Sequence, residues 1–244
     1  MRLFCIIPCY KEYPNRAISS IAEQVKAPYF TMCIIDEPEK MVDAIETRYL
    51  YLICSTKFRM YAAFNMQAMI SYLAGYKRLE SGDVICLIDG DDWLYDENAL
   101  ITIWKEFQNK NVWLTYGSYV NLSDIRENKP HRLFRGRYRN EENYRELPWR
   151  ASHLKAFRYG LYKKIRHYWW KDSNGKDLKV CSDLALMFPM LEMAGKEHIR
   201  HINKPLYVYN DLNPDNDHKV AGKEQKDVEM WLRSLEPYKK VKSI

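Results

Sequence analysis

The chain has 244 residues, with 38 Lys and Arg against 32 Asp and Glu, a net charge of +6, and 47% hydrophobic content. That length buries a full core and that composition excludes wholesale disorder, while no apolar run approaches the roughly 20 residues of a membrane-spanning helix. Only nine glycines occur, none spaced as G-x-G-x-x-G or as a P-loop, so a backbone cradle for phosphates is excluded.

The first 120 residues alternate between two periodicities. Residues 3–8 form an apolar run of strand length, and 15–25 have helical spacing through Ala17, Ile18, Ile21, Ala22 and Val25. Residues 29–35 read as a second strand ending at Asp36; 41–47 fit a short helix and 48–54 a third strand. A helix over 60–76 carries its apolar stripe at Ala63, Met66, Met69, Ile70 and Leu73. Residues 83–88 are a fourth strand running into Asp89-Gly90-Asp91-Asp92. A helix follows over 98–107, with Asp96 as candidate cap, and then a fifth strand over 111–120. Strands and helices alternating at this spacing predict an α/β fold with a mostly parallel central sheet buried on both faces.

The second half is less regular. Residues 183–194 have helical spacing, 206–209 a short strand, and the tail from 223 to Pro237 reads as a charged amphipathic helix. Residues 126–170 lack a clean period and read as long loops with short elements. They hold thirteen basic and four acidic residues, net +9, which leaves −3 for the remainder. Six cysteines include no C-x-x-C pair, and Cys5, Cys33, Cys54 and Cys86 lie in apolar runs. Free core thiols are expected, with neither a zinc knuckle nor a disulfide framework. The first apolar run is too short for a secretory h-region and is soon followed by Lys11-Glu12. A soluble, cytoplasmic protein is expected, with peripheral contact to a membrane surface open.

The sharpest chemical signal is Asp89-Gly90-Asp91-Asp92 at the end of an apolar strand. Three carboxylates in four residues repel one another unless a hard cation offsets them, and Mg²⁺ or Mn²⁺ takes such oxygens together with substrate phosphates. In open α/β sheets, ligands bind outside the carboxyl ends of the strands. The plainer alternative is a polar turn that caps the next helix. His198-Ile199-Arg200-His201 runs into a strand and does not read as a metal pair, and residues 172–177 read as a turn.

With these patches in order, the sequence resembles the family 2 glycosyltransferases of GT-A fold. Ile6-Ile7-Pro8-Cys9-Tyr10 is similar to the family's first strand and P-x-Y turn, and residues 17–24 to the following S-I-x-x-Q helix. Asp36 stands where the family reads uracil, Ala62-Ala63-Phe64-Asn65 resembles its A-x-N segment, and residues 87–94 resemble its metal motif. Cys181-Ser182-Asp183-Leu184 occupies the place of the usual Glu-Asp, with Ser182 in place of Glu, and residues 205–209 are like the closing strand. The resemblance covers residues 3 to 125 well and isolated points beyond.

The resemblance implies a single GT-A domain, with a nucleotide-sugar-binding half over 1–120 and an acceptor half over 121–244. It implies a nucleotide-sugar donor, most simply UDP-linked, in contact with Pro8, Tyr10, Glu12, Asp36, Lys57, Arg59, Asn65, Asp89 and Gly90. A Mn²⁺ or Mg²⁺ ion would be held by Asp91 with Asp89 or Asp92, and His218 as a further ligand. Asp183 would act as general base in an inverting displacement, against the alternative that it caps its helix. His153, Trp169 and Trp170 are acceptor candidates, although aromatics at such spacing are more often core. The basic segment suits a glycan, lipid-linked or other hydroxyl acceptor of anionic character. Two rivals are a nucleotidyltransferase of similar fold and a nucleic-acid-binding module built on 126–170. The first lacks its glycine-rich basic signature near residue 8, and the second lacks any RNA-binding motif.

Overall fold

A computed structural model describes residues 1–11, 13–37, 51–55, 58–129, 136–138 and 143–244, the side chains of 51–55, 217 and 218 excepted. The expected helix over 41–47 lies outside these residues. Ten strands are described: β1 (Leu3–Cys9), β2 (Phe30–Ile35), β3 (Tyr51–Ser55), β4 (Val84–Leu87), β5 (Trp93–Leu94), β6 (Leu114–Tyr116), β7 (Tyr119–Asn121), β8 (Lys155–Arg158), β9 (Ile199–His201) and β10 (Tyr207–Tyr209). The α-helices are α1 (Asn15–Ala22), α2 (Tyr61–Tyr76), α3 (Ala99–Glu106), α4 (Leu122–Arg126), α5 (Tyr159–Tyr162), α6 (Ser182–Ala194), α7 (Asp217–Val220) and α8 (Gly222–Ser234).

Seven strands form the central sheet in the order β3-β2-β1-β4-β8-β6-β9. Four of its six pairings are parallel, and β8 alone runs against its neighbours. The runs that read as strands by continuous apolarity, β1 and β2, are buried at every position, as a sheet covered on both faces requires. Helices α2 and α6 pack on one face with Phe4, Ile6, Ile85 and Phe157. On the other face α1 and α3 meet Cys5, Ile7, Cys86 and Ala156. The alternation of β1 between these two clusters is the period-2 signature of a strand.

Two features depart from the sequence expectation. The predicted strand over 111–120 is two strands in different sheets, because Gly117 turns the chain with φ +81°. A side chain at 117 would also meet the His201 ring at 2.8 Å, so glycine is required there twice over. Beyond the turn, β7 pairs with β10 and β5 in a separate three-stranded sheet. The second departure is β8, which lies inside the segment read as loops and sits in the interior of the sheet between β4 and β6.

Several polar side chains inside the fold serve its connections. Gln24 is buried and bridges α1 to α3: its Nε2 donates to Ser20 and Asp96 carbonyls, and its Oε1 accepts from Leu100 N–H at 2.8 Å. Asp96 accepts from Asn98 N–H at 2.9 Å in the turn ahead of α3, but the N-cap position of that helix is Asn98 and no side chain caps it, so Asp96 is not the cap expected from the sequence. In the 172–177 turn, the Asp172 carboxylate accepts from Asn174 and Lys176 N–H. Cys5, Cys9, Cys33, Cys86 and Cys181 are buried. Among the described residues no helix is long and apolar enough to cross a membrane.

Candidate active site

The chain goes outward from β1 through β2 to β3, then returns to lay β4 on the other side of β1. That reversal opens a crevice at the carboxyl ends of β1 and β4, the position where open α/β sheets bind ligands. Pro8 and Tyr10 leave β1 there, and Asp89-Gly90-Asp91-Asp92 leaves β4 beside them. Gly90 N–H donates to the Pro8 carbonyl at 3.0 Å. A Cβ at 90 would lie 2.5 Å from the Cβ of Cys9, so the two strand ends touch only because residue 90 is glycine.

The three aspartates of this loop diverge. Asp91 turns away, its Oδ2 accepting from Asn213 Nδ2 at 2.6 Å. Asp92 is fully buried; its Oδ1 accepts from Asn210 N–H at 2.7 Å, and its Oδ2 has no hydrogen-bond partner. Asp89 is more open, its side chain 37% exposed, and its Oδ2 lies 3.5 Å from His153 Nδ1. The Asp89 backbone N–H donates to the Tyr207 hydroxyl at 2.9 Å.

Ligand atoms of Asp89, Asp92 and His153 all lie within 4.8 Å of one another. That span is about twice the roughly 2.0–2.6 Å distance at which Mg²⁺ and Ca²⁺ hold oxygen. Burial, then the charges of Asp91 and Asp89, pushes the Asp92 carboxyl well above the usual carboxylate range. Burial, then the Lys155 ammonium, holds the His153 imidazole well below its ordinary value and so neutral, the form that binds metal. An orphaned buried oxygen, a neutral imidazole and a second carboxylate make a fitting donor set for a divalent cation.

Aromatic packing fixes this set. The His153 ring stacks on Tyr207 at 4.7 Å and on Tyr209 at 5.5 Å, and meets the edge of Tyr119 at 5.6 Å. Tyr207 and Tyr209 are two residues apart on β10 and therefore point to one face. The Tyr119 hydroxyl is pushed up to about 12 by burial and by Asp92, and burial with the same aspartates raises Tyr207 and Tyr209, so all three stay neutral. Lys155 is buried on β8 with Nζ 3.5 Å from His153 Nδ1. Tyr119, Lys155, Tyr207, Tyr209 and Asn210 escaped the sequence reading. The alternating tyrosines of 205–209 were the one visible signal, and they read equally as an ordinary strand.

Other predicted residues fall into separate groups. Tyr10 and Arg59 come together, the guanidinium 3.9 Å from the Tyr10 ring centre and 4.6 Å from that of Tyr61. Lys179, just before α6, lies 5.5 Å from the same Tyr61 ring, which brings the start of α6 and Asp183 to this end of the sheet. Asp183 is half-buried at the second position of α6, its Oδ1 accepting from Leu184 N–H at 2.9 Å. Asn65 is buried in α2 with Oδ1 unpartnered. Glu12, Lys57 and the side chain of His218 lie outside the described residues.

Three predictions fall on groups already engaged inside the fold. Asp36 is only 2% exposed; its oxygens accept from Met60 N–H at 2.8 and 3.0 Å and from Tyr61 N–H at 2.6 Å. It caps the start of α2 from the end of β2, and the orphan N–H groups of a helix start explain why a carboxylate is held there. Trp169 and Trp170 are buried in the main core and offer no acceptor platform. Asp91, expected to lead the metal set, stands outside the Asp89, Asp92 and His153 group.

No protein-family model matches the chain, and no curated protein sequence matches it either. Solved structures do. Similar to it is the mannosyltransferase PcManGT from Pyrobaculum calidifontis, in complex with GDP-Man and Mn²⁺, at 14% identity and TM-score 0.59, over 97% of this chain and 66% of that one. S. aureus TarS residues 1–349 in complex with UDP match at 13% identity and TM-score 0.56, over 97% of this chain and 67% of that one. The same TarS fragment in complex with UDP-GlcNAc matches at 13% identity and TM-score 0.53, over 86% of this chain and 59% of that one. The chain spans 60% of the TarS 1–349 structure and 38% of a longer TarS structure. At such identities the shared property is the fold, a mostly parallel α/β sheet flanked by helices as in the GT-A glycosyltransferases.

Proposed function

We propose that the chain is a metal-dependent glycosyltransferase of the family 2 kind, moving a sugar from a nucleotide-sugar to an acceptor hydroxyl with inversion. The observation that carries this is the unpartnered, buried Asp92 Oδ2 grouped with Asp89 and His153 at the β1–β4 crevice. Support also comes from the fold shared with a mannosyltransferase complexed with GDP-Man and Mn²⁺ and with TarS complexed with UDP-GlcNAc.

Asp89, Asp92 and His153 would hold Mn²⁺ or Mg²⁺. Bound there, the ion would supply Lewis-acid stabilisation of the leaving diphosphate. Gly90 keeps the β1 and β4 ends in contact, so the nucleotide can lie across them. Tyr10 would offer a ring to the base, and Arg59, which rests on that ring, would turn to the diphosphate. Asp36 serves the donor indirectly, by fixing the α2 start that carries Arg59 and Tyr61 beside Tyr10. Asp183 accepts the acceptor hydroxyl proton as that oxygen attacks the anomeric carbon. A new C–O bond forms, the bond to the diphosphate oxygen breaks, and the nucleoside diphosphate leaves.

The reading is tested with a panel of UDP- and GDP-sugars and Mn²⁺, following release of nucleoside diphosphate. Release from at least one sugar supports it. Release of pyrophosphate from a nucleoside triphosphate and a sugar phosphate, with none from the panel, would replace it by nucleotidyl transfer.

A further inference from the structure

Lys155 opens β8, paired with Leu87 at the end of β4, and is buried, with 1% of its surface exposed. A buried ammonium is costly unless it is paired or well hydrogen-bonded. Its hydrogen-bond partner here is a histidine, with Nζ 3.5 Å from His153 Nδ1. Among the described residues no carboxylate lies within ion-pair distance of it. A lysine is thus held inside the protein against a side chain of the candidate metal group.

Donor and acceptor chemistry fixes what that contact means. An ammonium only donates, so the His153 nitrogen facing it is the one with the lone pair, and Nε2 carries the ring hydrogen. The same Nδ1 lies 3.5 Å from Asp89 Oδ2, and Asp92 places a ligand atom in the same 4.8 Å group. A neutral imidazole has one lone pair in its plane. A cation on Nδ1 takes the lone pair that Lys155 uses. A cation on Nε2 moves the ring hydrogen to Nδ1, where it points at the ammonium. Either way, Lys155 and a metal ion cannot both hold His153.

Charge leads to the same competition. The ammonium offsets one carboxylate of the group before any ion arrives, which weakens the hold of Asp89 and Asp92 on a divalent cation. In a buried site that effect is poorly screened. The two phosphates of a nucleoside diphosphate restore the negative charge, so a cation that arrives with them is held where a cation alone is not.

We propose that Lys155 is a positioning residue that holds the His153 lone pair until a divalent cation arrives with a diphosphate, which makes metal binding conditional on the donor. This inference rests on the reading of Asp89, Asp92 and His153 as a metal site.

The test is calorimetric titration of the full chain with Mn²⁺, alone and in the presence of UDP or GDP. Lys155→Met removes the charge and keeps the length of the side chain. Replacing a buried charge by an apolar group of similar volume is often neutral or stabilising, and thermal melting checks that the variant folds. Lys155→Gln, uncharged but polar, is the second variant. In both, Mn²⁺ alone is expected to bind more than about tenfold tighter than in the wild type, and the factor by which nucleotide improves Mn²⁺ binding is expected to shrink. A lysine that only supports the fold would, on removal, weaken Mn²⁺ binding or leave it unchanged, and either result in the folded variants overturns the proposal. Asp92→Asn separates this inference from the metal reading. Mn²⁺ binding lost in Asp92→Asn but indifferent to residue 155 removes the role of Lys155 alone. Absence of Mn²⁺ binding to the wild type and to both Lys155 variants, with or without nucleotide, removes the metal site and this inference together. Binding of Mn²⁺ alone that appears only when Lys155 is replaced supports the proposal.

Discussion

At the scale of residues, the site divides between groups the sequence exposes and groups only the fold assembles. Asp89 and Asp92 stand out because three carboxylates in four residues demand an explanation. His153 does not, since it lies 61 positions after Asp92 and is brought back only by β8 running between β4 and β6. Asp36 shows the reverse case, a visible carboxylate whose folded partners the sequence hides. A carboxylate at a strand end suggests ligand contact, yet the first N–H groups of α2, twenty-four and twenty-five positions later, take both of its oxygens. Asp183, half-buried at the start of α6, is the base in the proposed mechanism. Asp183→Asn should lower transfer by about 10²–10⁴-fold while nucleotide-sugar affinity stays within a few-fold, read from kcat and from donor titration. An equal loss in both would make Asp183 a part of the fold and not a base.

At the scale of elements, the β1 and β4 ends are coupled by the absence of a side chain at 90. Gly90→Ala places a methyl 2.5 Å from Cys9 Cβ and Sγ, so one strand end must move. Overpacking of this kind costs about 1–3 kcal/mol, and a denaturant melt should show it together with weaker metal-dependent donor binding. Gly90→Ala with unchanged stability and donor binding would show that the two ends are not rigidly joined. The parallel half of the sheet was legible because β1, β2 and β4 are continuous apolar runs, a pattern that only a doubly covered strand needs. Strand β8 was not, because Lys155 and Arg158 break that pattern while both are buried. Arg158 explains itself once folded: its guanidinium donates to the Val112, Gly82, Phe107 and Asn109 carbonyls and closes the loop ends around α3.

At the scale of the whole molecule, the net +9 of residues 126–170 is partly internal. Arg145, Lys155 and Arg158 are all buried, which removes much of the case for a nucleic-acid surface. Arg145 forms a two-point pair with Glu192, at 2.5 and 2.8 Å, and lies over Trp169, joining the basic segment to α6 and α8. Glu192→Ala leaves that guanidinium uncompensated and should cost about 3–5 kcal/mol in a denaturant melt. A cost under about 1 kcal/mol would mean that the pair is solvated. The chain start is fastened similarly: the Arg2 N–H and guanidinium donate to the Asp83 carboxylate at 2.5–3.1 Å. Burial alone would raise Asp83, but hydrogen bonds from Arg2 and Glu80 N–H outweigh it and leave its value below the ordinary 3.8. The stability it contributes is therefore complete above pH 3.8 and disappears as pH falls through the depressed value. Asp83→Asn should flatten that acid limb of a pH–stability curve, and an unchanged limb would refute the assignment. Metal-dependent donor binding at the Asp89, Asp92 and His153 group is read out by a thermal-shift titration with UDP-GlcNAc and GDP-Man, with and without Mn²⁺. Mn²⁺-dependent stabilisation by at least one nucleotide-sugar is expected, abolished in Asp92→Asn, a variant that should itself melt no lower without metal. Nucleotide-sugar binding indifferent to Mn²⁺, or Mn²⁺-dependent binding that persists in Asp92→Asn, would contradict it.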